Sequence, residues 1–370
     1  MTTETQPPSF TIPPTAPSES RGPAWPLWMV CAVGVFTGAV ILVSALVPSV
    51  AEAPVLTAAA VLAFGSFAAL CFWLLGKINY FRSAAPETSA LAFLWGGFAA
   101  TGYALLANTA VREHLIAQNR GGSWSLFAPL TEEPAKDLGI VIVLLLASTR
   151  PRTALDGLVA GSFVGLGFEI AESIARALNN AIASYPPGQR DNLGSLAVDV
   201  THEVLRNSWT GHIVLTGIAG FGIGYLLTTP NRPAIDRWAV ALGLVALAAA
   251  GHLLWNTHRF GVFYVLGQFG LLAVYLWLIR VGRNREGELY TPYLEYAPDV
   301  VAPAQIAAMR SDAARRAERR AAGRPRQAAR ERQRALAQLA AGIANGDAQR
   351  AHEAVAALSD APEFRSTRVV

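Results

Sequence analysis

Eight residues able to do acid–base or ligand chemistry lie inside stretches otherwise apolar enough to be membrane helices. They are Glu132, Glu133, Lys136, Glu169, Glu172, His212, His252 and Asn256. A charge at bilayer depth costs several kcal/mol unless it is paired, protonated or turned towards an internal cavity. Carboxylates and imidazoles gathered in this way therefore mark a site. Two histidines and a carboxylate are a sufficient ligand set for a catalytic zinc that keeps one position open for water. A remaining carboxylate would then act as general base. A metal-free version also works, with Glu132 or Glu133 activating water while the histidines and Asn256 donate to the developing oxyanion. The residues alone leave both versions open. We assign catalytic roles to Glu132, Glu133, Lys136, Glu172 and Asn256, and take His212, His252 and Glu169 as ligands of a divalent metal, zinc foremost.

Spacing adds detail. In Thr131-Glu132-Glu133-Pro134-Ala135-Lys136, Glu132 and Lys136 stand at i and i+4, which predicts that they pair. Glu133 is turned by about 100° and is expected to point elsewhere. Pro134 is expected in the first helical turn, where its missing N–H has no intrahelical partner. His252 and Asn256 share a face. Arg176 follows Glu172 by four residues, so an interfacial ion pair competes with a catalytic role for Glu172. His202-Glu203-Val204-Leu205-Arg206 begins like a zinc-protease H-E-x-x-H motif, but Arg206 stands where the second ligand belongs. His114, His258 and His352 read as interfacial or exposed residues. There is no P-loop, no G-x-S-x-G element and no aspartate pair suited to an intramembrane aspartyl protease.

The elements that must position these residues are membrane helices. Of 370 residues, 52% are hydrophobic and 15% charged, against about 25% charged in soluble domains. No formal charge occurs between Arg21 and Glu52, Glu52 and Lys77, or Glu87 and Arg112. The fold class is all-α: a polytopic bundle of about eight helices at 27–48, 54–76, 89–111, 127–148, 154–177, 207–228, 237–257 and 260–280. Trp25, Trp28, Trp124, Trp209, Trp238 and Trp277 form the interfacial aromatic belts. Cys31 and Cys71 read as small buried hydrophobes rather than a disulfide or a metal site. Lys77, Arg82, Arg150, Arg152, Arg232, Arg237, Arg280, Arg283 and Arg285 fall on one side, which places both termini in the cytoplasm of a multi-pass cell-membrane protein. On that topology the polar residues of four helices fall in one layer of the outer leaflet.

Three segments lie outside this frame. Residues 1–26, with seven prolines, read as a disordered tail, and the first apolar run is too long and too late for a signal peptide. The connector 178–206 carries an amphipathic run from Leu193 to Leu205, expected either as an interfacial helix or as a packed connector. Segment 283–370 is a basic cytoplasmic tail. From Val301 it has 13 Arg against 7 Asp plus Glu, a net of 13 − 7 = +6, and Ala304 to Ile343 is expected to be helical in part. Anionic lipid or a cytoplasmic partner suits that charge, whereas no nucleic-acid recognition motif is present.

Four motifs in order carry a resemblance. Glu132-Glu133-Pro134-Ala135-Lys136 matches E-E-x-x-K, and Phe168-Glu169-Ile170-Ala171-Glu172 fits F-x-x-x-E. His212 opens a glycine-rich span, and His252-Leu253-Leu254-Trp255-Asn256 fits H-x-x-x-N. Residues 27–282 thereby resemble the PrsW family of intramembrane proteases, distant relatives of the CAAX prenyl protease and bacteriocin-immunity (Abi) group. The resemblance implies that Glu132 and Glu133 are the catalytic pair. It also implies that Glu172, His212 and His252 complete the cluster, with Asn256 assisting, and that the substrate is a single-span membrane protein such as an anti-sigma factor cut at site 1. The competing readings are an ion-coupled transporter with a Glu/His relay and a silent scaffold that binds a partner helix through Gly217, Gly220 and Gly224.

Overall fold

The computed structural model describes residues 24–81, 86–120, 125–146, 153–202, 204, 211–257, 261–322 and 326–359. The expected N-terminal tail up to residue 23, Arg82, Trp124, Arg150, Arg152, Glu203, Arg206, Trp209 and His258 lie outside them. The described residues form helices and no strand. They divide into two compact units, one of Pro23–Ile78 and Ala84–Ile279, the other of Asn79–Ser83 and Arg280–Val370.

The first unit is the membrane bundle. Helices α1 (Trp25–Glu52) and α2 (Pro54–Leu75) are separated only by Ala53, and Pro54 opens α2 where a missing N–H costs nothing. The third predicted span is interrupted: α3 (Pro86–Leu94), a π-helical turn (Trp95–Ala100) and α4 (Thr101–Ala117). Thr101 Oγ1 donates to Gly96 O at 2.8 Å across that widened turn. There follow α5 (Ala128–Leu146), α6 (Ala154–Ser184), α7 (Leu193–His202), α8 (His212–Thr228), α9 (Ala234–Thr257) and α10 (Val262–Tyr290), whose last residues belong to the second unit. Asp156 Oδ2 accepts from the Thr153 amide at 3.0 Å and fixes the start of α6.

Six described helices are long and apolar enough to cross a membrane. Two of the eight predicted spans fall outside that set. The first is α5, which carries Glu132, Glu133, Lys136 and Asp137, and the second is α8, which has only 17 residues. These two helices bring most of the polar cluster: the charges of α5 erase its apolar signature, whereas α8 stays apolar and falls short only in length.

Helix α6 is the centre of the bundle, with 78% of its most apolar window buried. Its glycines let α8 approach closely. A Cβ at Gly157, Gly161 or Gly165 would lie 2.2 Å from the carbonyl oxygen of Gly220, Thr216 or His212. Gly220 and Gly224 of α8 are thus used inside the chain, against Gly157, and Gly217 faces Ser162 and Tyr275. The surface that the scaffold reading would offer to a partner is already covered. In the connector, α7 buries only Leu196 and leaves Leu193 and Val198 exposed. Its approach is tied down by an Arg190–Glu52 ion pair and by Asp191 Oδ1 accepting from the Leu56 amide at 2.8 Å.

The second unit continues from α10 through a 3₁₀ turn (Thr291–Tyr296) into α11 (Pro303–Met309), α12 (Asp312–Ala321), α13 (Arg326–Asn345) and α14 (Ala348–Ser359). Phe81, Tyr290, Leu294, Met309, Leu336, Leu339 and Ile343 lie in its own core. Phe81 stacks on Tyr290 with centroids 5.2 Å apart. Arg315, 1% exposed, lies 4.5 Å above the Tyr80 ring and donates to Met309 O and Asp312 Oδ1 at 2.7 and 2.6 Å. The region expected as a partly helical tail is therefore a folded helical unit.

Candidate active site and metal centre

The site begins on α5, whose inward face carries Glu132, Glu133 and Lys136, all buried. Trp95 fixes that helix from the π-helical turn: its Nε1 donates to Ala135 O at 2.9 Å. The indole lies against Gly139, where a Cβ would stand 2.0 Å from Trp95 Cδ1. Pro134 sits inside α5 rather than in its first turn, and it is exposed on the opposite face.

The pairing differs from the expected one. Lys136 Nζ donates to Glu133 Oε1 at 2.6 Å, reaching back three residues rather than four. Glu133 faces the cluster, because the same Oε1 also accepts from His252 Nδ1 at 2.6 Å. A carboxylate oxygen only accepts, so the proton of His252 sits on Nδ1 and its Nε2 lone pair is left free. That Nε2 lies 3.6 Å from Glu132 Oε2. The other oxygen, Glu132 Oε1, accepts from Asn108 Nδ2 at 3.0 Å. Glu132 Oε2 and Glu133 Oε2 are both buried with no hydrogen-bond partner among the described residues.

His212 opens α8. Its backbone N–H donates to Glu169 Oε2 at 2.8 Å, so Glu169 neutralises one of the unpaired amides at the positive end of that helix. Lys136 Nζ donates to His212 Nδ1 at 2.9 Å, and His212 Nε2–H in turn faces Glu172 Oε2 at 3.2 Å. Arg176 holds the same Glu172 oxygen at 2.9 Å, so Glu172 makes the expected ion pair and reaches the cluster as well. The His212 ring meets Phe168 and His252 edge-on, at 4.7 and 4.9 Å between centroids.

Glu132, Glu133, Lys136, Glu172, His212 and His252 are thus brought together. Glu169 touches the cluster through the His212 amide. Asn256 donates instead to Ser125 O at 2.8 Å and ties the approach to α5 onto α9. Three residues beside the cluster are not among those that the sequence singles out. Asn108 was legible as a lone amide in an uncharged span, where a polar side chain needs a partner. Trp95 carries no such signal, because an aromatic in a membrane helix is ordinary. Asp137, half-buried on α5 with an unpartnered Oδ1, was also passed over because it follows the motif directly.

The donor set fits a divalent metal. Glu132, His212 and His252 each offer a ligand atom, and the three atoms lie within 4.8 Å of one another. They would make a two-histidine, one-carboxylate centre with an open position. A metal held by His212 Nδ1 would leave the Nε2–H bond to Glu172 in place, as outer carboxylates do for metal-bound histidines, and would compete with Lys136 for Nδ1.

A bundle of apolar helices that buries a paired-glutamate, two-histidine centre defines a membrane-embedded protein with the donor set of a metal-dependent hydrolase. The model of the PrsW family intramembrane metalloproteases matches residues 84–280, and the chain belongs to that family. No match is found among curated proteins or among solved structures.

Proposed function

We propose that the protein is an intramembrane endopeptidase that hydrolyses a peptide bond of a single-span membrane protein, with Glu133 as general base. The observation that carries this is the state of Glu133. Its Oε1 is clamped by Lys136 and His252, while its Oε2 is buried and free to take a proton. The water proton passes to Glu133 Oε2 as the water oxygen bonds to the carbonyl carbon. The same oxygen then returns the proton to the amide nitrogen as the C–N bond breaks. Lys136 keeps Glu133 from rotating and balances its charge. Glu132, His212 and His252 are the ligand set, with Glu172 orienting His212 and Glu169 anchoring its backbone. A bound divalent metal, zinc by donor type, would polarise the scissile carbonyl and make water more acidic.

The positive-inside distribution supports an outer-leaflet centre with both termini cytoplasmic, which suits site-1 cleavage of an anti-sigma factor. The basic C-terminal unit then meets anionic lipid at the inner face. Family membership favours hydrolysis over ion-coupled transport.

One observation favours a second chemistry at the same residues. The Lys136 contact at 2.9 Å occupies His212 Nδ1, as a glutamate–histidine mechanism without metal would have it. Elemental analysis of detergent-purified protein separates the two. The metal reading predicts about one divalent ion per chain, lost in the His212→Ala/His252→Ala double variant. No metal in a cleavage-competent wild type would establish the metal-free version.

A further inference from the structure

Outside the four motifs, one side chain acts on the site from a helix that contributes nothing else to it. We propose that Asn108 of α4, oriented by Thr131, is a positioning residue that aims Glu132 Oε2 at the metal position. The inference rests on the proposed ligand set and adds the device that orients its only carboxylate.

The geometry is a short relay. Thr131 Oγ1 donates its one proton to Asn108 Oδ1 at 2.5 Å, with Ala128 O as a competing acceptor at 2.8 Å. With Oδ1 held there, the Asn108 amide presents Nδ2 to Glu132 Oε1 at 3.0 Å. The opposite flip would set a carbonyl oxygen against a carboxylate oxygen, which only repels. One oxygen of Glu132 is thereby fixed, and the other is left buried, unpartnered and 3.6 Å from His252 Nε2. His252 is prepared in the same way, with Nδ1 anchored on Glu133 and Nε2 released. Glu132 and His252 thus each have one atom tied outward and one presented inward. This is the relation between metal ligands and their outer hydrogen-bond partners. A carboxylate without such a partner would rotate about its terminal bond, because that torsion is broad.

Cobalt(II) titration of the full chain in detergent, followed by its visible absorption, tests this. Outer-partner losses typically weaken metal binding by about 10–100-fold, and Asn108→Leu is expected in that range with an altered cobalt spectrum. Asn108→Gln, which keeps a donor amide, should recover most of the affinity. Thr131→Val, which leaves Asn108 in place but unoriented, should weaken binding by a smaller factor and guards against a misfolded Leu variant. The same variants should lower kcat with little change in KM. Wild-type affinity and spectrum in both Asn108→Leu and Thr131→Val would overturn the positioning role while leaving the metal centre standing. Wild type that binds no cobalt would instead remove the metal centre, and this proposal with it.

Discussion

At the scale of residues, the proposed mechanism gives the two adjacent glutamates different work, in keeping with the different partners that hold one oxygen of each. Glu133 is locked by Lys136 and His252, whereas Glu132 is locked by Asn108. A positioned general base contributes about 10²–10⁴-fold, so Glu133→Gln is expected to lower kcat by that factor while metal binding persists. Glu132→Gln, which keeps the shape but removes the ligand charge, should lose metal as well as activity, read by elemental analysis. Six of the residues that the sequence singles out are brought together by the fold, but their pairing is not the one that spacing predicts. Spacing on one helix predicts Glu132 with Lys136, and in isolation that holds. His252 arrives from a helix more than a hundred residues later and draws Glu133 inward, carrying Lys136 with it. No local rule contains that information.

At the scale of elements, the site depends on backbones that come closer than side chains normally allow. Gly165 of α6 brings the His212 carbonyl within 2.2 Å of where a Cβ would be, and Gly139 makes room for the Trp95 indole. Overpacking at such positions typically costs about 1–3 kcal/mol. Gly139→Ala is therefore expected to push Trp95 off the Ala135 carbonyl, lower thermal stability in detergent and reduce activity more than metal affinity. Gly243→Ala serves as a control: nothing lies within 4 Å of its Cβ position, and it should match wild type in both readouts. The apolar helices were legible from composition, and so were most of their ends. The π-helical turn was not, because Trp95-Gly96-Gly97 has no periodicity that distinguishes a widened turn from an ordinary one. Helix α8 is apolar but short, and α5 reads as a span only when its polar residues mark a site rather than argue against one.

At the scale of the whole molecule, the chain holds two folded units with different surfaces. The bundle exposes its large apolar side chains, such as Phe36, Leu62, Phe263 and Trp277, as a lipid-facing surface does. The second unit hides its apolar residues instead and leaves Arg316, Arg320, Arg330 and Arg334 exposed. Its core was illegible as a core because so much of it is alanine, which reads as helix propensity rather than packing. Its use of Phe81, from the connection between α2 and α3, is a long-range contact without a sequence signal. Truncating a buried phenylalanine typically costs about 3–5 kcal/mol, so Phe81→Ala should unfold this unit selectively, seen as rapid amide exchange across α13 and α14.

The most direct test of the central claim is cleavage itself. Wild-type protein and Glu133→Gln would be reconstituted in separate vesicles with a panel of single-span membrane proteins, and the products identified by mass spectrometry. The account predicts a single cut near the outer end of a substrate helix by the wild type and at most residual cutting by the variant. Cleavage by Glu133→Gln at the wild-type rate would contradict it.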